Sequence, residues 1–163
     1  MNAPERWVLI DGYSLVHRDE TTARIHRGGR LFEARRRLVR RLERIAPQLG
    51  RRVTVVFDGR DTGGPETEAP AGPVEVVFSP AAASADAWIE RAAHECAGSQ
   101  AMLVVTSDRL EREAASASGA DTMGCGDFLN LCMRIEAGLS GAARRATAPA
   151  PRLTLGDLFP PRV

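Results

Sequence analysis

Four short apolar runs, WVLI, VTVVF, VEVVF and MLVVT, punctuate this chain, and the segments between them carry apolar residues at helical spacing. Continuous apolar runs of this length suit strands buried on both faces inside a parallel sheet. Strands alternating with helices imply an α/β three-layer sandwich with a mostly parallel central sheet of four to five strands. The expected strands cover residues 7–11, 53–58, 74–78 and 102–106, with ADTMG at 120–124 as a short fifth. Helices are expected over 13–17, 31–49, 85–97, 109–117 and 126–138. The helix from Leu31 presents Leu38, Leu42, Ile45 and Leu49 to the core and is expected to end at Gly50.

Two internal stretches read as loops. Residues 18–30 are polar and contain Gly28-Gly29; residues 59–73 (GRDTGGPETEAPAGP) hold too much Gly, Pro and Glu for regular structure. From Gly141 the helical pattern fails, and GAARRATAPAP reads as a linker before the small apolar element LTLGDLFP. The chain of 163 residues therefore divides into one domain over 1–139 and a linker with C-terminal tail over 140–163.

Four aspartates fall where apolar runs stop. WVLI, VTVVF and MLVVTS end at Asp11, Asp58 and Asp108, and Asp86 opens the helical segment ADAWIERAA. In a parallel α/β sheet the carboxyl ends of the strands share one edge, where ligands bind. Each acid has an ordinary structural role open to it. Asp11 and Asp58 precede glycines, as turn residues do. Asp86 suits the positive end of a helix dipole, and Asp108 with Glu111 fits a capping box. Those preferences do not explain why all four should meet at one edge. Carboxylates crowded together at neutral pH require protonation or a cation, and hard oxygen donors favour Mg²⁺ or Mn²⁺.

Smaller signals surround these acids. Glu90 lies one helical turn after Asp86 and is a candidate ligand, or else a surface partner of His94 or an arginine. Ser14, Thr106 and Ser107 offer hydroxyls that position water or phosphate. Asp61, Asp121 and Asp127 suit loops and caps. Cys96, Cys125 and Cys132 form no CxxC pair, and His17, His26 and His94 are scattered in the sequence, so no zinc site is expected. No apolar stretch is long enough to span a membrane, nothing resembles a signal peptide, and a cytoplasmic location is expected.

A net charge of +1 conceals an asymmetry. Residues 18–52 hold twelve arginines against four acids, and residues 58–136 hold fourteen acids against five arginines. All 22 basic residues are arginine. Arg36, Arg37, Arg40 and Arg44 fall on the polar side of the 31–49 helix, as a solvated face or as phosphate contacts; planar guanidinium donors suit a polyanion. Without lysine the chain has no P-loop and no phosphoryl-accepting receiver site, and no GxGxxG supports a dinucleotide fold.

The phrases LIDGYSLVH, VVFDG, SADAWIERAA and VVTSD, in that order over residues 7–139, resemble the four acidic motifs of NYN-domain nucleases of the YacP-like group, within the PIN-like superfamily. The resemblance implies a PIN-like fold whose Asp11, Asp58, Asp86 and Asp108 bind Mg²⁺ or Mn²⁺ and cleave RNA. In the first motif Ser14 replaces the usual Asn; it still donates a hydrogen bond but reaches less far. The implied activity is metal-dependent endoribonuclease cleavage of single-stranded or loop RNA. Asp11, Asp86, Asp108 and Asp58 would be its ligands, Ser14 its supporting donor, Glu90 and Ser107 candidates for water positioning, and Arg36, Arg37, Arg40 and Arg44 its phosphate contacts. The chain is poor in aromatics for base stacking, so specificity is expected to be weak or supplied by a partner such as the ribosome. The alternatives are an NYN-fold RNA-binding module without catalysis, or a small-molecule phosphatase.

Overall fold

The structure, a computed structural model, describes residues 4–59, 72–80 and 82–147. Its centre is a sheet of five strands, β1 (Arg6–Asp11), β2 (Arg52–Phe57), β3 (Glu75–Phe78), β4 (Ala101–Val105) and β5 (Asp121–Met123). They run parallel in the order β3-β2-β1-β4-β5. The order reverses at β1, where the chain builds outward to β2 and β3 and then returns to lay β4 on the other side. In such sheets the crevice at the reversal, above the carboxyl ends, is the usual ligand position. Here that crevice lies between the ends of β1 and β4.

Both faces of the sheet are covered. Val8, Ile10, Val55, Phe57, Leu103 and Val105 point to one side, into a core shared with α1 (Gly12–Arg18), α3 (Leu31–Glu43), α4 (Ala46–Leu49) and α7 (Cys125–Thr147). Trp7, Leu9, Val56, Met102 and Val104 alternate to the other side, against α5 (Ala85–Glu95) and α6 (Arg109–Ala117). Period-two alternation with apolar residues on both faces accounts for the unbroken runs in the sequence. The result is the three-layer α/β architecture that the sequence predicts.

Three element boundaries differ from expectation. The stretch expected as a loop over 18–30 contains α2 (Glu20–Arg27). Asp19 caps it, accepting from the Thr22 N–H at 3.1 Å, and the buried Thr22 hydroxyl returns to the Val16 carbonyl at 2.9 Å. A polar composition concealed a capped helix whose buried face is only Thr22 and Ala23. The helix expected over 31–49 is two helices, broken after Glu43 because Pro47 lacks the N–H that continuation would need. Gly50 then passes so close to β1 that a Cβ would lie 2.7 Å from the Arg6 carbonyl oxygen. The last helix continues to Thr147, past the boundary drawn at residue 139. Its Gly138 and Gly141 each cost about 1 kcal/mol relative to Ala, but the surrounding Ala and Arg residues are strong helix formers. The segment 60–71 of the expected loop, and LTLGDLFP, lie outside the described residues. No described helix is long and apolar enough to cross a membrane.

Candidate functional site

Asp11 is the last residue of β1 and the N-cap of α1, and it is buried. Its carboxylate is held from three directions. Oδ1 accepts from the Ser14 N–H at 3.2 Å, and Oδ2 accepts from the Ser14 hydroxyl at 2.6 Å and the Thr106 hydroxyl at 3.4 Å. The tight turn depends on Gly12, where a side chain would collide with the Phe57 ring. Ser14 on α1 and Thr106 after β4 thus hold the carboxylate from both sides of the crevice.

Asp86 stands in the first turn of α5, which Ser84 caps by accepting from the Ala87 N–H at 3.2 Å. The pKa of Asp86 is raised, first by the protein around it and then by the charges of Asp11, Asp108 and Asp58. Asp86 therefore senses three acids remote from it in sequence. Asp58 lines a cleft of about 700 Å³ together with Asp11, Ser14, Asp86 and Ser107. Ser107 also faces the thiol of Cys125, whose pKa burial pushes up.

Asp108 is placed differently. It is the N-cap of α6, and its Oδ1 accepts from the Leu110 N–H at 2.7 Å and the Glu111 N–H at 3.2 Å. The reciprocal half of a capping box is missing, because the Asp108 N–H donates to the Thr106 hydroxyl at 3.1 Å. Glu111 is released from capping, and its side chain turns inward.

Glu111 is the site residue that sequence reasoning missed. It is 7% exposed, and neither carboxylate oxygen has a hydrogen-bond partner among the described residues. Burial pushes its carboxyl up to about 8, with the charges of Asp11, Asp86 and Asp108 adding to the push and the nearby Thr106 hydroxyl opposing it. Asp11, Asp86 and Glu111 each offer an oxygen within 4.8 Å of the others. The available signal was position: an acid three residues after Asp108, on the helix leaving the same sheet edge, can point back over that edge.

Glu90 is exposed on α5, one turn away from the crevice, and neither joins this trio nor lines the cleft. Arg36, Arg37, Arg40 and Arg44 are exposed and line a larger groove of about 1630 Å³ between α3 and α7. That groove is mixed in charge, with Asp127 and Glu136 on its α7 side. Arg18 lines both the groove and the acid cleft. His17 and His26, scattered in sequence, meet in space with ring centroids 4.9 Å apart.

Known proteins share this fold. A family model described as the YacP-like NYN domain matches residues 8–154. The uncharacterized protein YacP of Bacillus subtilis (strain 168) is 28% identical over 153 residues, covering 92% of this chain and 89% of that protein. The crystal structure of Rae1 (YacP) from Bacillus subtilis superposes with a TM-score of 0.74 at 27% identity, over 91% of this chain and 83% of that one. Its W164L mutant gives 0.73 at 26% identity, over 89% and 85%.

Proposed function

This chain belongs to the YacP-like NYN domain family, and from that premise we propose that it is a metal-dependent endoribonuclease. The observation that carries the reading is the acid trio. Three carboxylates offering oxygens within 4.8 Å of one another, one of them buried without a partner, make a site whose charge a divalent cation would balance. The donors are all oxygen, which fits Mg²⁺ or Mn²⁺ and disfavours softer metals. Asp11, Asp86 and Glu111 would hold the ion, with Asp58 and Asp108 completing the site directly or through water. When bound, the ion supplies Lewis acidity to a phosphoryl oxygen and favours ionisation of water at neutral pH.

The protein's own groups do the remaining work. Ser14 and Thr106 fix the orientation of Asp11 before substrate arrives, so little reorganisation is needed during reaction. Glu111, whose carboxyl burial pushes up to about 8, would have to be ionised to hold the ion, so binding would release its proton. Asp108 anchors α6 and adds negative charge beside Asp86. The substrate is RNA in single-stranded or loop form. Arg36, Arg37, Arg40 and Arg44 hold phosphates flanking the cut, and a partner such as the ribosome supplies sequence choice. The products carry a 5′-phosphate and a 3′-hydroxyl.

Ser14 bears on the competing reading, a non-catalytic RNA-binding module. The 2.6 Å bond from its hydroxyl to Asp11 supports the idea that serine performs the holding role of the usual asparagine. A cleft that shares Arg18 with a larger groove supports a polymer substrate over a small phosphoester. The test is incubation of purified protein with labelled RNA and Mn²⁺, beside Asp11→Asn and a chelator control. Cleavage abolished in both controls is the expected result. Binding of RNA with no cleavage in Mg²⁺ or Mn²⁺ would replace the enzyme with the module, and hydrolysis confined to small phosphoesters would replace it with a phosphatase.

A further inference from the structure

The acid cleft has a second wall that the proposed chemistry does not use. His17 and Arg18 at the end of α1 and His26 on α2 line it, facing the same space as Asp11, Asp58 and Asp86. The two helices meet at Asp19, which ends one and caps the other, and this corner brings the imidazoles together. Their ring centroids are 4.9 Å apart with planes inclined by 30°. Arg18 lies over the first turn of α7, where a Cβ on Gly126 would come within 3.3 Å of the guanidinium. Glycine there leaves room for the arginine.

Two features distinguish this wall from an ordinary packed corner. First, Nδ1 of His26 is buried with no hydrogen-bond partner among the described residues. Buried polar groups in a completed structural contact are almost always paired. Second, the chemistry of the cleft is divided. Its lining holds the carboxylates of Asp11, Asp58 and Asp86 and, beside them, three side chains that carry N–H donors, His17, Arg18 and His26. A phosphodiester crossing such a cleft needs donors for its non-bridging oxygens on the side away from the carboxylates.

We propose that His17, Arg18 and His26 form a subsite for the RNA phosphate adjacent to the scissile one, fixing the path of the strand across the acid cluster. The inference rests on the ribonuclease reading and deepens it. Because Arg18 lines both cavities, the subsite is also where the strand turns from the cleft towards the arginines of α3.

The experiment compares the full chain with His17→Gln, Arg18→Gln and His26→Gln. Each is measured for binding a labelled single-stranded oligoribonucleotide in EDTA, and for its Mn²⁺-dependent cleavage. His17 is exposed, so its variant carries little folding risk, and thermal melting checks the other two. Each variant is expected to bind about tenfold more weakly, the effect of losing one charge-assisted contact, with cleavage impaired mainly through KM. A series of oligonucleotides with one methylphosphonate at successive positions then locates the contact. The wild type loses affinity at one position next to the cut, and His17→Gln is insensitive there. Unchanged affinity in His17→Gln and Arg18→Gln overturns the subsite, and wild-type cleavage in the same assay would leave the nuclease reading intact. A methylphosphonate effect spread evenly along the strand also overturns it. If the variants lose affinity at one position but the wild type never cleaves, the phosphate contact stands, its place beside a scissile phosphate is overturned, and the nuclease reading fails.

Discussion

Ser14 donates its hydroxyl to Oδ2 of Asp11 at 2.6 Å and its backbone N–H to Oδ1 of the same carboxylate at 3.2 Å. One residue therefore satisfies both oxygens of the acid at the end of β1. Partners that orient a metal-binding carboxylate typically change metal affinity by about tenfold to a hundredfold when removed. Ser14→Ala should weaken Mn²⁺ binding by about tenfold on that scale, while Ser14→Asn, which restores the side chain usual in this motif, should stay close to wild type. Titration calorimetry with Mn²⁺ decides this; equal affinity in Ser14→Ala would remove the positioning role.

Glu111 gives the protein a stability profile with a definite sign. Its folded pKa, pushed up to about 8, lies above its ordinary value of 4.5. Above pH 4.5 the unfolded chain releases a proton that the folded, ion-free protein retains. Stability therefore falls as pH rises from 4.5 to about 8 and levels off beyond. Glu111→Gln should flatten this decline and melt roughly 5 °C higher than wild type at pH 8 without metal. It should also lose the stabilisation by Mn²⁺, which for a single site is about 2.7 kcal/mol at a hundredfold excess over Kd. Melting curves in EDTA and in Mn²⁺ from pH 5 to 9 check both; a wild-type melting temperature independent of pH would refute the assignment.

The contrast between Glu111 and Asp11 explains what the sequence could reveal. Asp11 ends β1, Asp58 follows β2 and Asp108 comes three residues after β4, so an apolar run and its end mark their position. The sheet then carries them to one edge, and Asp86 reaches it from the start of α5. Glu111 has no such marker. It turns inward instead of capping α6, where the Asp108 N–H is taken by the Thr106 hydroxyl. The meeting of His17 with His26 was hidden for a related reason. It requires α2, whose polar sequence buries only Thr22 and Ala23 and whose first turn is capped by Asp19. Local signals fixed the sheet; contacts between side chains distant in sequence completed the site.

Asp86 separates metal binding from RNA binding. Its pKa is raised first by burial and then by the charges of Asp11, Asp108 and Asp58, so removing its charge relieves repulsion while deleting a proposed ligand. Asp86→Asn should abolish Mn²⁺-dependent cleavage yet bind RNA in EDTA as well as wild type or better, because one negative charge has left the phosphate path. Cleavage assays paired with fluorescence anisotropy in EDTA test this. Weaker RNA binding in the variant would mean that Asp86 contacts the strand itself.

Arg40 and Arg41 are neighbours in sequence with opposite assignments. Arg41 spans three elements: Nε and Nη2 bind Glu136 of α7 at 2.8 and 3.0 Å, and Nη1 binds the α2 cap Asp19 at 2.9 Å. Hydrogen bonding to Arg41 holds the Glu136 carboxyl below its usual range. The stability from that pairing is present above the ordinary glutamate pKa and is lost as pH falls through the lowered one. Arg41→Ala should thus cost about 2 kcal/mol at pH 7, less than a fully buried pair would, and progressively less in acid. Arg40 is exposed and makes no ion pair among the described residues. Arg40→Ala should leave the melting temperature unchanged, weaken RNA binding, and reduce the slope of log affinity against log salt by about 0.7. Salt titrations of binding, with melting at pH 7 and pH 4, check both variants. If Arg41→Ala changed the salt slope while Arg40→Ala did not, the exposed arginines of α3 would no longer be the phosphate contacts.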